Sequence, residues 1–444
     1  MSEQGNSTVT RRDFMIESGA AVAATAIASN RLGAQTNKPL KLALIGTGNR
    51  GTHTWGIPVA KNYSDVVQFV GLCDINSKRV KVAQQMIGTS APTFTDFDEM
   101  VKTTNPDAVM ITTPCGTHWR YIVRGLELGR RVISEKAMCT DEEQCQAIID
   151  TQKKTGGKVT VTFNARHSPS AKKMKALLME KAVGDVIAVE FHEYLDTSHG
   201  ADYFRRWHRL KPNSGTLLVH KASHHFDQAN WWLNSEPVEV TAWGELKFYG
   251  HNGSYRSSTC RACPYKKQCP FYMDITKNPD FMRMYVACES EDGYTRDGCV
   301  FKEDTDIYDV MSVRVRYENG VILTYMANTY QPFEGQQISI IGKKGRLDDR
   351  SYGGGGYRIN ELRLTRSFGT SEVVRDLEPP RRGGHGGADT SIQDLIFRNE
   401  PNPDPLNLRA DMRAGAMSSL IGIAAYRSIE RGGKTIKIKD LVKF

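Results

Sequence analysis

The sequence predicts an α/β protein: a doubly wound parallel sheet comes first, and an α+β domain with a large, mostly antiparallel sheet follows. Three observations predict this. The apolar run Lys41-Leu42-Ala43-Leu44-Ile45 passes directly into Gly46-Thr47-Gly48-Asn49-Arg50-Gly51, a glycine pattern whose meaning depends on a strand before it and a helix behind it. Strand-length apolar runs then alternate with helical stretches up to about residue 161, the rhythm of parallel βαβ units. Beyond residue 162 the strand-like runs follow one another through turns, with Glu318-Asn319-Gly320 as a hairpin connection.

Ahead of the first strand, Thr10-Arg11-Arg12-Asp13-Phe14-Met15 precedes a small-residue run from Gly19 to Ser29. Paired arginines, a phenylalanine and a weakly apolar stretch match a twin-arginine export signal. Residues 1–37 are therefore expected to be signal peptide and linker, and the mature protein to be periplasmic. The run is too short for a stable membrane span, which takes about 20 apolar residues. Cleavage is expected near Ala26-Ile27-Ala28 or Gly33-Ala34. Twin-arginine substrates cross folded, which suits a protein that takes up a cofactor before leaving the cytoplasm and holds it tightly.

Gly46, Gly48 and Gly51 permit a tight turn and let backbone amides, including those of Asn49 and Arg50, approach a pyrophosphate at a helix N-terminus. A second apolar run, Val66 to Leu72, ends in Cys73-Asp74. An acid at that strand end meets a ribose hydroxyl and repels a 2′-phosphate, so the cofactor is expected to be NAD, although Lys78 and Arg79 stand close enough to blur the preference. The Rossmann domain is placed at residues 38–161.

The alternation continues with a strand at Asp107 to Thr113, a helix at Tyr121 to Leu128 stopped by Gly129, and a strand at Arg131 to Ser134. Glu135 and Lys136 follow that last strand. Residues beyond the carboxyl ends of such strands face the ligand crevice, which aims Lys136 at the nicotinamide end.

Thr113-Pro114 with His118, then Glu135-Lys136, then a distal histidine motif make the chain resemble the glucose-fructose oxidoreductase and inositol dehydrogenase family (Gfo/Idh/MocA) over roughly residues 40–345. The resemblance implies cofactor contacts from Thr113, Pro114, His118, Glu135 and Lys136. It also makes Lys136 the lysine beside substrate and nicotinamide, with Glu135 as its orienting partner. The family's Glu-Lys-Pro reads Glu135-Lys136-Ala137 here. The second motif falls at Gly215 to Asp227, where His224 matches the family's catalytic histidine and Asp227 the following acid. Its usual aspartate has become His220 and its usual glycine Ala222.

If this segment is helical, His220 and His224 lie on one face, where they share a proton network or chelate a metal. No Glu follows His220, so a zinc peptidase is excluded. A neutral imidazole, ordinarily near pKa ~6.5, suits removal of a hydroxyl proton while hydride leaves the same carbon. Lys136 then stabilises the oxygen.

Other residues suit a sugar by type. Arg166, in Asn164-Ala165-Arg166-His167, emerges where the chain leaves the nucleotide domain. Tyr203, Arg206, Trp207 and His208 mix aromatic faces with hydrogen-bond donors, which fits a pyranose. Asp227 is expected beside them. His385 lies in a glycine-rich rim, Gly383 to Ala388, ahead of a helix from Thr390 to Arg398 for which Asp389 is the expected N-cap. Tyr352-Gly353-Gly354-Gly355-Gly356-Tyr357 reads as a hairpin or loop.

The second domain, residues 162–444, is expected to open with a helix at Ala171 to Lys181 and to run through strands at Val186 to His192, Val238 to Lys247, Val310 to Tyr317, Val321 to Asn328 and Gln337 to Ile341. A helix from Leu408 to Glu430 follows. Five of the nine cysteines fall in an insertion at about 250–305, spaced Cys260-x2-Cys263-x5-Cys269-x18-Cys288-x10-Cys299. Disulfides suit an oxidising compartment. Cys260, Cys263, Cys269 and either Cys288 or Cys299 also suit a structural zinc, and iron–sulfur or free thiols remain open.

Lys plus Arg at 59 against Asp plus Glu at 50 gives a net charge of +9, spread over the chain without a basic block interleaved with aromatics, which argues against nucleic acid. The leading expectation is an NAD-dependent oxidoreductase acting on a secondary hydroxyl, carbon 3 foremost, of a sugar or glycoside. Two alternatives stand beside it: a glycosidase or lyase that oxidises, eliminates and re-reduces around a retained cofactor, and a non-catalytic sugar-binding protein. The free sheet face suits a homo-oligomer, dimer or tetramer, as the resemblance implies.

Overall fold

The computed structural model describes residues 38–379, 381–398 and 403–444. The export signal expected within residues 1–37 lies outside them. Strands β1 (Leu40–Ile45), β2 (Val67–Cys73), β3 (Thr93–Phe94), β4 (Ala108–Ile111), β5 (Arg131–Ser134) and β6 (Val159–Val161) form a wholly parallel sheet in the order β3-β2-β1-β4-β5-β6. The order reverses between β1 and β4, which places a crevice at their carboxyl ends. Along β1, Leu42 and Leu44 enter one apolar core while Ala43 and Ile45 enter another. A parallel strand covered on both faces has no solvent side, hence its unbroken apolar run. Local signals end the helices: Asn76 caps Ser77–Ile87 by accepting from the Arg79 amide, and Gly88, at φ +72°, stops it.

The second sheet contains β7 (Val186–Asp196), β8 (Pro237–Glu245), β9 (Val310–Tyr317), β10 (Ile322–Gln331), β11 (Glu334–Gly342), β12 (Gly345–Gly354), β13 (Tyr357–Arg366), β14 (Ser371–Val373) and β15 (Ile436–Lys437). Their order is β14-β13-β12-β11-β7-β10-β9-β8-β15. Every pairing is antiparallel except that of β7 with β10. Met311, Val313 and Val315 of β9 and Leu323, Tyr325 and Ala327 of β10 point into the core, and the residues between them take the other face. Helices Ser223–Leu233 and Met412–Glu430 cover the buried face. The five expected strands are present, and β12 to β14 extend the sheet beyond them. Within the Tyr352 to Tyr357 segment, Gly355 and Gly356 make the turn of the β12–β13 hairpin and the rest is strand.

Leu40–Phe444 hold together as one unit. Among the described residues no helix is long and apolar enough to cross a membrane. Three local expectations need correction. The Gly215 to Asp227 motif is not one helix, because Leu217–His220 is a single turn and a new helix starts at Ser223. Asp389 is not an N-cap: Ala388–Phe397 starts one residue earlier, behind Gly387 at φ +90°. The last helix starts at Met412, capped by Asp411, which accepts from the Ala414 amide. In that helix Gly422 is required by packing, since a Cβ there would stand 2.4 Å from the Leu218 carbonyl oxygen. The close approach seats the turn that carries His220.

Candidate active site

The glycine loop after β1 is tightly built. Gly46 has φ +85°, and a Cβ on it would lie 2.6 Å from the Thr113 amide. A Cβ on Gly51 would lie 2.1 Å from the Gly46 carbonyl oxygen. Thr113, just past the end of β4, thus stands against the loop. Asp74 is 7% exposed at the end of β2. It accepts from the Thr47 amide at 2.8 Å and from the Asn76 amide at 3.0 Å. The two cations that blurred the choice of nucleotide are both engaged within the protein, Arg79 partly by Asp74 itself. Arg79 donates to Asp74 at 3.3 Å and to Asp292 at 2.6 Å, and Lys78 donates to Ser290 at 2.9 Å. A buried acid with its neighbouring cations committed matches NAD and gives a 2′-phosphate no free counter-charge.

The cysteine-rich insertion reaches over this loop, which the sequence gives no reason to expect. The Asn49 amide donates to the Tyr285 hydroxyl at 2.8 Å, and the Asn76 side chain donates to the Cys288 carbonyl oxygen at 2.9 Å. Arg50, expected at the cofactor through its backbone amide, uses its guanidinium within the protein: it donates to Glu135 at 2.7 Å and to Asp389 at 3.1 and 3.2 Å. Glu135 also accepts from the Trp55 indole at 2.7 Å. It is therefore tied to the glycine-loop side and makes no hydrogen bond to Lys136, contrary to the expected orienting role.

Lys136 instead donates to the backbone carbonyl oxygen of His220 at 2.8 Å. Burial brings its ammonium down to about 8, against the opposing pull of Cys115 and Glu135. The Lys136–Ala137 peptide is cis although residue 137 is not proline. His118 is 1% exposed, with its ring nitrogens 2.8 Å from the Ala137 carbonyl oxygen and 2.6 Å from that of Thr113. It braces the two strand-end loops against each other.

His220 sits with Nδ1 3.2 Å from the Cys115 sulfur. Around its ring stand His208 at 4.2 Å, Trp207 at 5.4 Å and Tyr203 at 5.5 Å between centroids. The aromatic group expected from sequence is therefore assembled beside Lys136, with Arg206 paired to Asp202 at 2.6 Å. Cys115 was missed as a site residue; its place directly after Thr113-Pro114 at a strand end was the available signal. His224 has a buried Nδ1 with no hydrogen-bond partner and packs edge-on to Phe163 at 6.1 Å. Burial, then the Lys136 charge, holds both His220 and His224 well below the ordinary imidazole range, so both rings are neutral at neutral pH. Among the described residues no group of three or more His, Cys, Asp and Glu is placed to hold a metal ion. A chelate built on His220 and His224 is not formed, because the break between the two helices removes their common face.

Two expected substrate contacts are structural. Arg166 and Asp227 form a two-pronged ion pair at 2.7 and 2.6 Å, 4% and 1% exposed, and Arg166 also donates to the Asn407 carbonyl oxygen at 2.9 Å. The helix behind the rim loop is tied to the glycine loop through Asp389. Asp389 accepts from Arg50, from the Asn164 side chain at 2.7 Å and from His385 at 2.8 Å. Burial alone would raise its carboxyl, but His385 and Arg50 outweigh that and hold it well below the usual range. His385 is mostly exposed.

Residues 40–163 match a family model described as the Gfo/Idh/MocA oxidoreductase family, NAD-binding Rossmann fold. Residues 175–438 match the family's C-terminal alpha/beta domain. The chain belongs to the Gfo/Idh/MocA oxidoreductase family. It is 32% identical over 434 residues to YteT of Bacillus subtilis (strain 168), which is named as an oxidoreductase; the match covers 90% of this chain and 98% of that one. It is 25% identical over 204 residues to the inositol 2-dehydrogenase/D-chiro-inositol 3-dehydrogenase of Lactiplantibacillus plantarum, covering 45% of this chain and 54% of that relative's length. Its fold is similar to that of the WlbA dehydrogenase from Bordetella pertussis, solved with NADH and UDP-GlcNAcA. The TM-score is 0.62 at 18% identity, covering 90% of this chain and 99% of that one.

The protein is thus an NAD-binding Gfo/Idh/MocA oxidoreductase with inositol and sugar dehydrogenases among its relatives. Its site carries Ala137 in a cis peptide, His220 against Cys115, and the insertion over the nucleotide loop. The insertion's cysteines also correct an expectation. All nine cysteines of the chain are free thiols, so no disulfide forms. Cys260, Cys263, Cys269 and Cys299 converge instead on one cavity, while Cys288 turns its thiol to the Arg283 carbonyl oxygen at 3.3 Å. A zinc held by one compact ligand set is likewise not found among the described residues.

Proposed function

We propose that the protein is an exported, periplasmic dehydrogenase that oxidises a secondary hydroxyl, carbon 3 foremost, of a sugar or glycoside and keeps its NAD between turnovers. The observation that carries this reading is the cluster at the carboxyl end of β5. It combines a lysine lowered to about 8, a neutral histidine with an unpartnered buried nitrogen, and a wall of Tyr203, Trp207 and His208. NAD, when bound, accepts the hydride. Neutral His224 takes the hydroxyl proton, and the Lys136 ammonium stabilises the oxygen as it becomes a carbonyl. The aromatic wall offers an apolar face to the sugar ring. Arg206 and His385 present donors at its edge. The relatives' inositol and nucleotide-sugar ligands support a polyhydroxylated substrate.

One observation favours a second, redox-neutral reading. Tyr285, Cys288 and Asp292 of the insertion fasten the segment around the nucleotide loop, which suits a cofactor that is oxidised and reduced in place. A glycosidase or lyase that oxidises the sugar, eliminates the aglycone and re-reduces uses NAD in that way. Incubating the protein with aryl glycosides while following nicotinamide absorbance separates the readings. Net absorbance change with a stable keto-sugar is expected of the dehydrogenase. Aglycone release without net absorbance change would replace it by the glycosidase. No reaction with any sugar despite bound NAD would leave a binding protein.

A further inference from the structure

We propose that Cys260, Cys263, Cys269 and Cys299 hold an iron–sulfur cluster, which fastens the insertion over the nucleotide loop. Four thiols separated by up to 39 positions line a single small cavity, with Phe271 and Tyr272 among its walls. The four cysteines are the soft, metal-binding side chains of that lining; Tyr255, Thr259, Phe271, Tyr272 and Val300 complete its walls, with Arg205 at its side. The sulfurs neither pair as disulfides nor close on a point as one ion requires. They stand around a space, which is the arrangement four thiolates take about a polynuclear core. The short Cys260-x2-Cys263 segment folds back on itself, the Cys263 amide donating to the Cys260 carbonyl oxygen at 3.2 Å.

Charge gives the second, independent argument. Arg205 is 6% exposed and donates to the Cys260 sulfur at 3.1 Å and to the Phe271 carbonyl oxygen at 2.7 Å. No carboxylate among the described residues forms an ion pair with it. A buried guanidinium needs an anion, and neutral thiols supply none. Thiolates on an anionic cluster do. Two backbone amides complete the setting: Met273 donates to the Cys260 sulfur at 3.5 Å and Phe301 to the Cys299 sulfur at 3.4 Å. Hydrogen bonds of this kind stabilise ligating sulfur and tune a cluster. The site needs iron and inorganic sulfide, and no electron transfer is assigned to it. A 50-residue excursion with little core of its own gains from such a staple, since it must hold Tyr285 against Asn49.

Anaerobic purification of the full chain, with iron, acid-labile sulfide and zinc counted per chain and the visible spectrum recorded, tests this directly. Equal, stoichiometric iron and sulfide with a brown chromophore is the expected result, either as isolated or after reconstitution with ferrous iron and sulfide. Cys263→Ser and Cys269→Ser should lose most of the iron and retain less NAD through gel filtration, while Cys288→Ser keeps the iron. Stoichiometric zinc without sulfide would overturn the proposal. So would disulfides mapped among the four cysteines, or failure to retain iron and sulfide after reconstitution. These readouts need no substrate, so the cluster stands or falls separately from the dehydrogenase reading.

Discussion

The ammonium of Lys136 donates to the carbonyl oxygen of His220 at 2.8 Å, joining the end of β5 to the backbone of the motif that carries the histidines. The lysine is thereby aimed without a carboxylate partner, and Glu135 beside it serves Arg50 and Trp55. Lys136→Ala should lower turnover by about 10²- to 10⁴-fold, the range for a positioned group at the reacting atoms. The NAD retained per chain should stay unchanged, because the glycine loop and Asp74 are untouched. Turnover numbers and released nucleotide, measured on one preparation, check both halves. Unchanged turnover would remove Lys136 from the mechanism.

The pH profile follows from the same residue. Lys136 has its folded pKa lowered to about 8 by burial, so its stabilising positive charge is present below that pH and lost as pH rises through it. His224 is held well below the ordinary range and is already neutral near pH 7. Oxidation should therefore be level around neutrality and fall through about pH 8. Lys136→Arg, charged throughout, should move that alkaline limb upward even if its turnover is lower. A rate that climbs through pH 8 would make Lys136 the proton acceptor instead.

The parallel half was legible because its chemistry is local. Buried parallel strands need continuous apolar runs, and an acid at the end of β2 or a lysine at the end of β5 inherits its direction from the sheet. β12 and β13 were not legible. Arg346, Asp348 and Arg350, then Arg358, Glu361 and Arg363, interrupt them with charge; β12 takes its strand state from pairing along β11, and β13 from pairing along β12. The site divides in the same way. Lys136, His224 and the Tyr203 to His208 group follow from motif and residue type. Asn49 with Tyr285, 236 positions apart, and Arg50 with Asp389, 339 apart, leave no local pattern. Arg166 and Asp227 misled for a related reason: a charged residue near a site looks like a ligand contact until its partner is seen.

That pair makes a stability prediction. Arg166 and Asp227 are almost wholly buried and satisfy each other through two hydrogen bonds. Arg166→Met leaves a buried carboxylate without its counter-charge and should cost about 3–5 kcal/mol of unfolding free energy. The double variant Arg166→Met/Asp227→Leu should recover a substantial part. Denaturant unfolding curves of the two variants and the parent test this. A double variant no more stable than the single one would mean that the carboxylate is not the source of the loss.

The free face of the second sheet carries the last prediction. The register places Trp243 of β8 opposite Ser312 of β9, Ser312 opposite Met326 of β10, and Met326 opposite His192 of β7. Trp243 and Met326 are 59% and 40% exposed, and Ile322 of β10, four residues along the strand on the same face, is 50% exposed. Large apolar side chains exposed on one sheet face are better covered by another protein surface than by water, and a second copy of this chain offers the same face across a two-fold axis. We propose a homo-oligomer closed through this face. Trp243→Glu/Met326→Glu puts like charges into the interface from both copies and should shift the protein to monomer, with far-ultraviolet dichroism unchanged because both side chains point away from the core. Light scattering coupled to gel filtration measures the mass. A parent that is already monomeric at micromolar concentration, or a variant of unchanged oligomeric mass, would refute this face as the interface.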